Sequence, residues 1–209
     1  MSFDYFWIAR FIDDREHARI APYFAAAASR SELPLEARQA IADWRVHPSD
    51  YEEEAWHETT PEEQVERVRA FQRAFNLPGF VELQPELGTT NGALSDIEYN
   101  LQNARMTMTA RHPTVSILWH ALGFERAQAL PGQMGNLLLR PKDVEAALEA
   151  TRRAFEGLSR KGLLAAARRF CGHSVSDDTL REVLNFLPDG LETASARKAG
   201  FLALAHPQF

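Results

Sequence analysis

Apolar and polar positions alternate at the start of the chain. In an extended backbone Phe3, Tyr5, Trp7, Ala9 and Phe11 share one side, and Asp4, Phe6, Ile8, Arg10 and Ile12 share the other. Both sides are mostly apolar, so the pattern predicts a strand over 3–12 that is covered on both faces. A helical stretch over 13–30 follows, with Pro22 expected to interrupt it or restart it, and the small side chains of 25–28 suited to close packing. A second helix is predicted over 34–46. Pro34 takes a first helical position, Leu35, Ala42 and Trp44 offer an apolar side, and His47-Pro48 stops the helix. A short helix is expected over 50–58. Thr60-Pro61-Glu62-Glu63 then reads as a capping box, with Thr60 as N-cap, proline at the first position and Glu63 at the third. The helix it opens carries a stripe of Gln64, Val68, Phe71 and Phe75, and Glu63 stands four residues before Arg67, a spacing for surface pairing.

Residues 76–91 are rich in Pro, Gly and Asn and read as a connector, with room for a short strand at 80–83. A helix is predicted over 95–111 with Ile97, Leu101, Ala104 and Met108 inward. The apolar run over 114–124 fits either a strand or a buried helix. NLLLR over 136–140 predicts a strand, and Pro141-Lys142-Asp143 opens a helix to Phe155 with Val144, Ala147, Leu148, Thr151 and Phe155 inward. Further helices are expected over 163–170, over 177–186 with Ser176 as N-cap, and over 191–205, with a turn at 187–190. The sum is a mainly α, α+β fold: a compact helical domain with a small sheet of three or four short strands. The strands are too few and too scattered for a doubly wound sheet. The expected organisation is one domain over 1–209, with a weak subdivision at most in the 76–91 connector.

Charge changes this picture by dividing the chain. Net charge is −6; residues 1–58 hold 6 basic and 12 acidic side chains, residues 59–100 hold 3 and 7, and residues 101–209 hold 14 and 10. An acidic first half thus precedes a basic second half, and the economical reading is that the halves partly neutralise each other. The acid excess argues against nucleic acid as a partner, because phosphates would be repelled by much of the surface. Cys171 is the single cysteine, so no internal disulfide can form, which suits a reducing cytoplasm. No basic region precedes the first apolar run, and the run over 115–124 is too short to span a bilayer; a cytoplasmic protein without a membrane partner is expected.

Three groups of residues carry candidate chemistry. Between Arg45 and Arg67 the chain holds eight carboxylates and no Lys or Arg, with Tyr51 and Trp56 among them. Acids that steer and aromatics that anchor suit a surface meeting a basic partner, and Tyr51, Glu52, Glu53, Glu54, Trp56, Glu58 and Glu62 are the candidate binding residues. Glu54-Ala-Trp-His57 and Asp14-Arg-Glu-His17 share a spacing that puts a carboxylate and an imidazole on one helical face. In outline this resembles the di-metal carboxylate bundles, which would make Asp14, His17, Glu54 and His57 metal ligands. One pair carries Asp in place of Glu, however, and no two partner glutamates can be placed. The basic doublets Arg152-Arg153, Arg160-Lys161 and Arg168-Arg169 fit pairing with the acidic half better than a phosphate stripe. Cys171 reads as a buried structural cysteine at a helix end, and His120 as a hydrogen-bonded core histidine.

No P-loop, dinucleotide fingerprint, zinc-peptidase motif or serine elbow occurs in the chain. The expected function is therefore a non-enzymatic protein-interaction module that needs no cofactor. In its acidity, size and lack of catalytic motifs the chain resembles the immunity proteins, and that resemblance implies binding and neutralising a basic partner. The alternative expectation is a metal-dependent enzyme using the carboxylate and histidine ligands just named.

Overall fold

The computed structural model describes residues 4–53, 61–77, 79–80, 82–83 and 103–208. Its centre is β1 (Asp4–Ile12), the strand expected from the opening alternation. β1 pairs antiparallel on one edge with β2 (Ala104–Ala110) and on the other with β4 (Gly200–Gln208), which in turn pairs with β3 (Leu137–Leu139). The sheet order is β2-β1-β4-β3. Trp7 stands opposite Thr107 on one side and Ala205 on the other, and this register sends alternate side chains to two separate cores.

Trp7, Ala9, Phe11, Phe201, Ala203 and Ala205 face the larger core, and Phe6, Ile8, Ile12, Leu202 and Leu204 the smaller. The smaller core is closed by α1 (Asp14–Arg30) through Ile20 and Ala27, together with Leu77, Phe80 and Leu83. The larger holds α2 (Leu35–Val46), α3 (Glu62–Arg73), α4 (Thr114–Leu122), α5 (Phe124–Gln128), α6 (Val144–Phe155), α7 (Arg160–Cys171) and α8 (Asp177–Arg197). The fold is mainly helical with a small antiparallel sheet, as the pattern predicted. Each fully buried Ile, Leu or Phe adds about 1.5–3 kcal/mol of burial. The sheet is the natural place to spend such residues, because both of its faces are covered.

Several elements depart from expectation. Pro22 lies inside an unbroken α1. It is exposed, and so is Ala18, whose carbonyl loses its helical donor and can turn to water. Asp13 caps this helix in a capping box: Glu16 N–H donates to Asp13 Oδ1 at 2.7 Å and Asp13 N–H to Glu16 Oε2 at 3.1 Å. The capping box expected at Thr60 and most of the 76–91 connector lie outside the described residues, and Phe80 and Leu83 sit in helical turns, not a strand. In α2 the buried side is Ala37, Ala40, Ile41 and Trp44, while Leu35 is exposed.

The helix predicted over 95–111 is corrected at its described end, where 104–110 is strand β2. Thr107 and Thr109 are buried toward the larger core and Met108 is exposed, so the period of two prevails over the i, i+4 spacing of Ala104 and Met108. The expected turn at 187–190 is absent, because α8 runs through Pro188 to Arg197. Of the helix expected over 191–205, residues 191–197 are helical as the end of α8, and 200–205 are instead part of strand β4, drawn out by nine pairings with β1. The ambiguous run at 114–124 is helical: 114–122 form α4, buried at every position but Ala121.

Candidate functional site

The acidic segment begins where α2 ends. Pro48–Tyr51 forms one 3-10 turn that folds the chain back on α2. Tyr51 is 1% exposed, its hydroxyl donates to Ala40 O at 3.0 Å and meets Asp43 Oδ2 at 2.9 Å, and its ring packs edge-on against Phe71. Burial first, and the neighbouring Asp43 second, push the phenol's pKa well above its usual range. Tyr51 is thus a core strut, which corrects its expected place as an exposed anchor. Beyond it, Glu52 and Glu53 also turn inward.

Each of these carboxylates meets a buried histidine. Glu52 Oε1 lies 3.2 Å from His120 Nε2 and takes the Arg169 guanidinium Nε at 3.0 Å, with Oε2 at 3.1 Å from the same nitrogen. Glu53 Oε2 lies 3.1 Å from His112 Nε2, close but off the line of a formed hydrogen bond. The other ring nitrogens are occupied as well. Trp44 Nε1–H donates to His120 Nδ1 at 3.0 Å, and Gln72 Nε2 stands 2.9 Å from His112 Nδ1. Indole and amide nitrogens only donate, so both Nδ1 atoms accept and both ring protons sit on Nε2, facing the carboxylates. Desolvation holds the His120 pKa below its ordinary value, against the upward pull of Glu52.

Phe170 joins the two pairs, stacked on His120 with centroids 4.7 Å apart and tilted against His112 at 5.2 Å. The local sequence places these groups. Arg111, in a left-handed conformation at φ 69°, turns β2 into α4, and Thr109 Oγ1 donates to His112 O at 2.7 Å to hold that corner. Gly172 ends α7 at φ 55°, a positive value that favours glycine, and lies beside the Glu53 backbone. Cys171, fully buried beside this corner, has its thiol pKa pushed up by burial and by Glu53, so it is held as an unreactive thiol.

The remaining candidate residues are dispersed. Glu62 is exposed at the first turn of α3, near Asp50, whose carbonyl accepts from Gln64 Nε2 at 3.0 Å. Glu54, Trp56, His57 and Glu58 lie outside the described residues. Asp14 and His17 are on the first turn of α1, on the opposite side of the sheet from Glu52 and Glu53. Among the described residues no three His, Cys, Asp or Glu side chains gather as a metal-binding group.

A separate concavity of about 950 Å3 opens between α6, α7 and α8. Phe155, Leu158, Leu163, Leu164, Leu184 and Pro188 line it with apolar surface. Its rim is charged: Arg152 pairs with Glu192 at 3.3 Å, Arg153 with Glu149 at 3.5 Å and Arg181 with Asp178 at 2.6 Å. Two of the three basic doublets seen in the sequence end here, whereas Arg168 and Arg169 leave it. Arg168 pairs with Asp177, and Arg169 reaches across to Glu52 in the acidic half. Sequence patterns missed the meeting of Glu52 and Glu53 with His120 and His112, although His120 read as a core histidine. They missed the groove too, and the doublets were its only signal. No family model, no curated protein and no solved structure matches the chain.

Proposed function

We propose that the protein is a non-enzymatic protein-interaction module that binds a basic partner in the cytoplasm, in the manner of an immunity-type protein. One observation carries this reading. The two buried imidazoles, His112 and His120, have their nitrogens turned to neighbours inside the core, while Asp50 and Glu62, before and after Glu52 and Glu53 in the chain, stand exposed. His120, bonded at both nitrogens, has no free site for a substrate proton, and His112 is fully buried. Exposed carboxylates steer a basic partner toward this side, and the chain between them adds Glu54, Trp56 and Glu58 to the same stretch. Glu52 and Glu53 serve by fixing the base of that stretch to α4 and α7.

The test uses the basic protein captured from native lysate, then purified and measured by surface plasmon resonance. In D50K/E62K the association rate should fall about tenfold at low salt, with a flatter salt dependence and an unchanged melting curve. An association rate equal to wild type would remove the acidic stretch as the interface. Stoichiometric metal in protein purified without chelators would instead favour the metal-dependent alternative with Asp14, His17, Glu54 and His57.

A further inference from the structure

The groove between α6, α7 and α8 gathers several departures from local structural preference in one place. Arg160 and Lys161 occupy the first two positions of α7, whose first turn has no acid. Free N–H groups already make a helix N-terminus positive, so cations are disfavoured there. Both side chains are exposed, and among the described residues neither forms an ion pair, whereas the other cations of the rim are matched to acids. Phe155, Leu158 and Leu164 remain only partly covered at the floor. Pro188 stands in the interior of α8 and has no N–H, so the Leu184 carbonyl is denied its regular donor, and both residues line the same groove. Folding alone favours none of these choices, and such conflicts concentrate where a surface is used.

We propose that this groove docks an acidic peptide segment of a protein partner. Apolar side chains of the segment rest on Phe155, Leu158 and Leu164, and its carboxylates face Arg160 and Lys161. Charge complementarity selects an anionic occupant, since at this end of the groove, among the described residues, the unmatched cations Arg160 and Lys161 outnumber the one unmatched acid, Glu156. The open form selects a peptide over a single acyl chain: a groove walled by ion pairs suits a segment with polar groups on one side, and would leave an acyl chain half in water. The surface is distinct from Asp50 and Glu62 and opposite in charge, so the two readings stand or fall separately.

A random-peptide phage library panned against the full chain, followed by fluorescence anisotropy on synthesised peptides, tests this. The recovered peptides should be enriched in Asp and Glu interspersed with apolar residues. R160E/K161E should bind them about tenfold more weakly, or worse still, while R15E/R38E, on α1 and α2, should bind them as wild type does. The same R160E/K161E variant should melt no lower than wild type, because acids suit the start of a helix. A melting temperature held or raised while binding is lost separates a docking role from a structural one. Recovered peptides without acidic enrichment, equal affinity in R160E/K161E, or equal loss in the control variant would overturn the proposal. Displacement of every recovered peptide by an equimolar amount of dodecanoate would also overturn it, in favour of an amphiphile.

Discussion

His120 couples burial to protonation. Its ring is enclosed by Trp44, Phe170, Glu52 and, through Glu52, Arg169, and desolvation lowers its pKa from the ordinary 6.5. The unfolded chain therefore takes up a proton at a higher pH than the folded one. Below about pH 6.5 the unfolded state binds more protons, so stability is complete above that value and falls as pH drops toward the lowered folded pKa. The slope contributed by one such group is at most about 1.4 kcal/mol per pH unit. Urea denaturation at stepped pH should show this loss as pH falls below about 6.5 in wild type and a smaller one in His120→Gln. That variant should start about 1–3 kcal/mol less stable, because Trp44 N–H loses its partner and Glu52 keeps only Arg169. Parallel slopes for the two proteins would reject the assignment. At this scale sequence reading succeeded where burial is local: an imidazole within the apolar run at 115–124 has to be a bonded core residue. It did not reach the partners of Glu52 and Glu53, which are distant, nor those of Tyr51, which lie only 11 and 8 positions back but are met through the turn at 48–51. Arg169 is 117 positions from Glu52 and His120 is 68, and no pattern near residue 52 encodes either.

Elements with one dominant period were legible, and those with two competing signals were not. β1, α1, α2 and α6 each carry an unambiguous alternation or stripe, and each formed close to its expected bounds. Residues 104–110 satisfy both a helical spacing of Ala104 and Met108 and the alternation of Thr107 with Thr109, and the free edge of β1 decides between them. At 187–190 Leu-Pro-Asp-Gly has turn composition, yet burial of Leu187 and Leu191 on one side and of Gly190 against the Phe201 ring keeps the helix continuous. Gly200 makes the same point about β4. A Cβ at that position would stand 2.4 Å from Leu139 O and 3.2 Å from Ile12 O, both backbone atoms of strands beside it. Gly200→Ala should therefore push β4 from its neighbours and cost about 1–3 kcal/mol, read as a lowered urea midpoint with an unchanged slope. A midpoint equal to wild type would mean that the β3–β4 pairing yields without cost.

Across the whole molecule, the two ends of the chain build the middle of the sheet. β1 begins at Asp4 and β4 ends at Gln208, and nine residue pairs join them. Helical content and fold class follow from local pattern, but this topology does not, because a strand's partner depends on residues almost a full chain length away. The acidic and basic halves meet in the same way, through Glu52 with Arg169 and Arg45 with Glu125. Such long-range closure is slow to form and leaves little folded until it is made. Removing β4 strips Phe201, Ala203 and Ala205 from the larger core and Leu202 and Leu204 from the smaller, and it leaves inward edges of both β1 and β3 without partners. Burial of the two Leu and one Phe alone is worth about 5–9 kcal/mol, which is comparable to the whole stability of a typical domain. A chain ended at Lys198 should therefore show helical circular dichroism without a cooperative urea transition. Adding the peptide 199–209 in trans should restore that transition at high peptide concentration, because strand pairing then replaces chain connectivity. A truncated chain that unfolds cooperatively on its own would show instead that the helical layer of the larger core folds independently of the sheet.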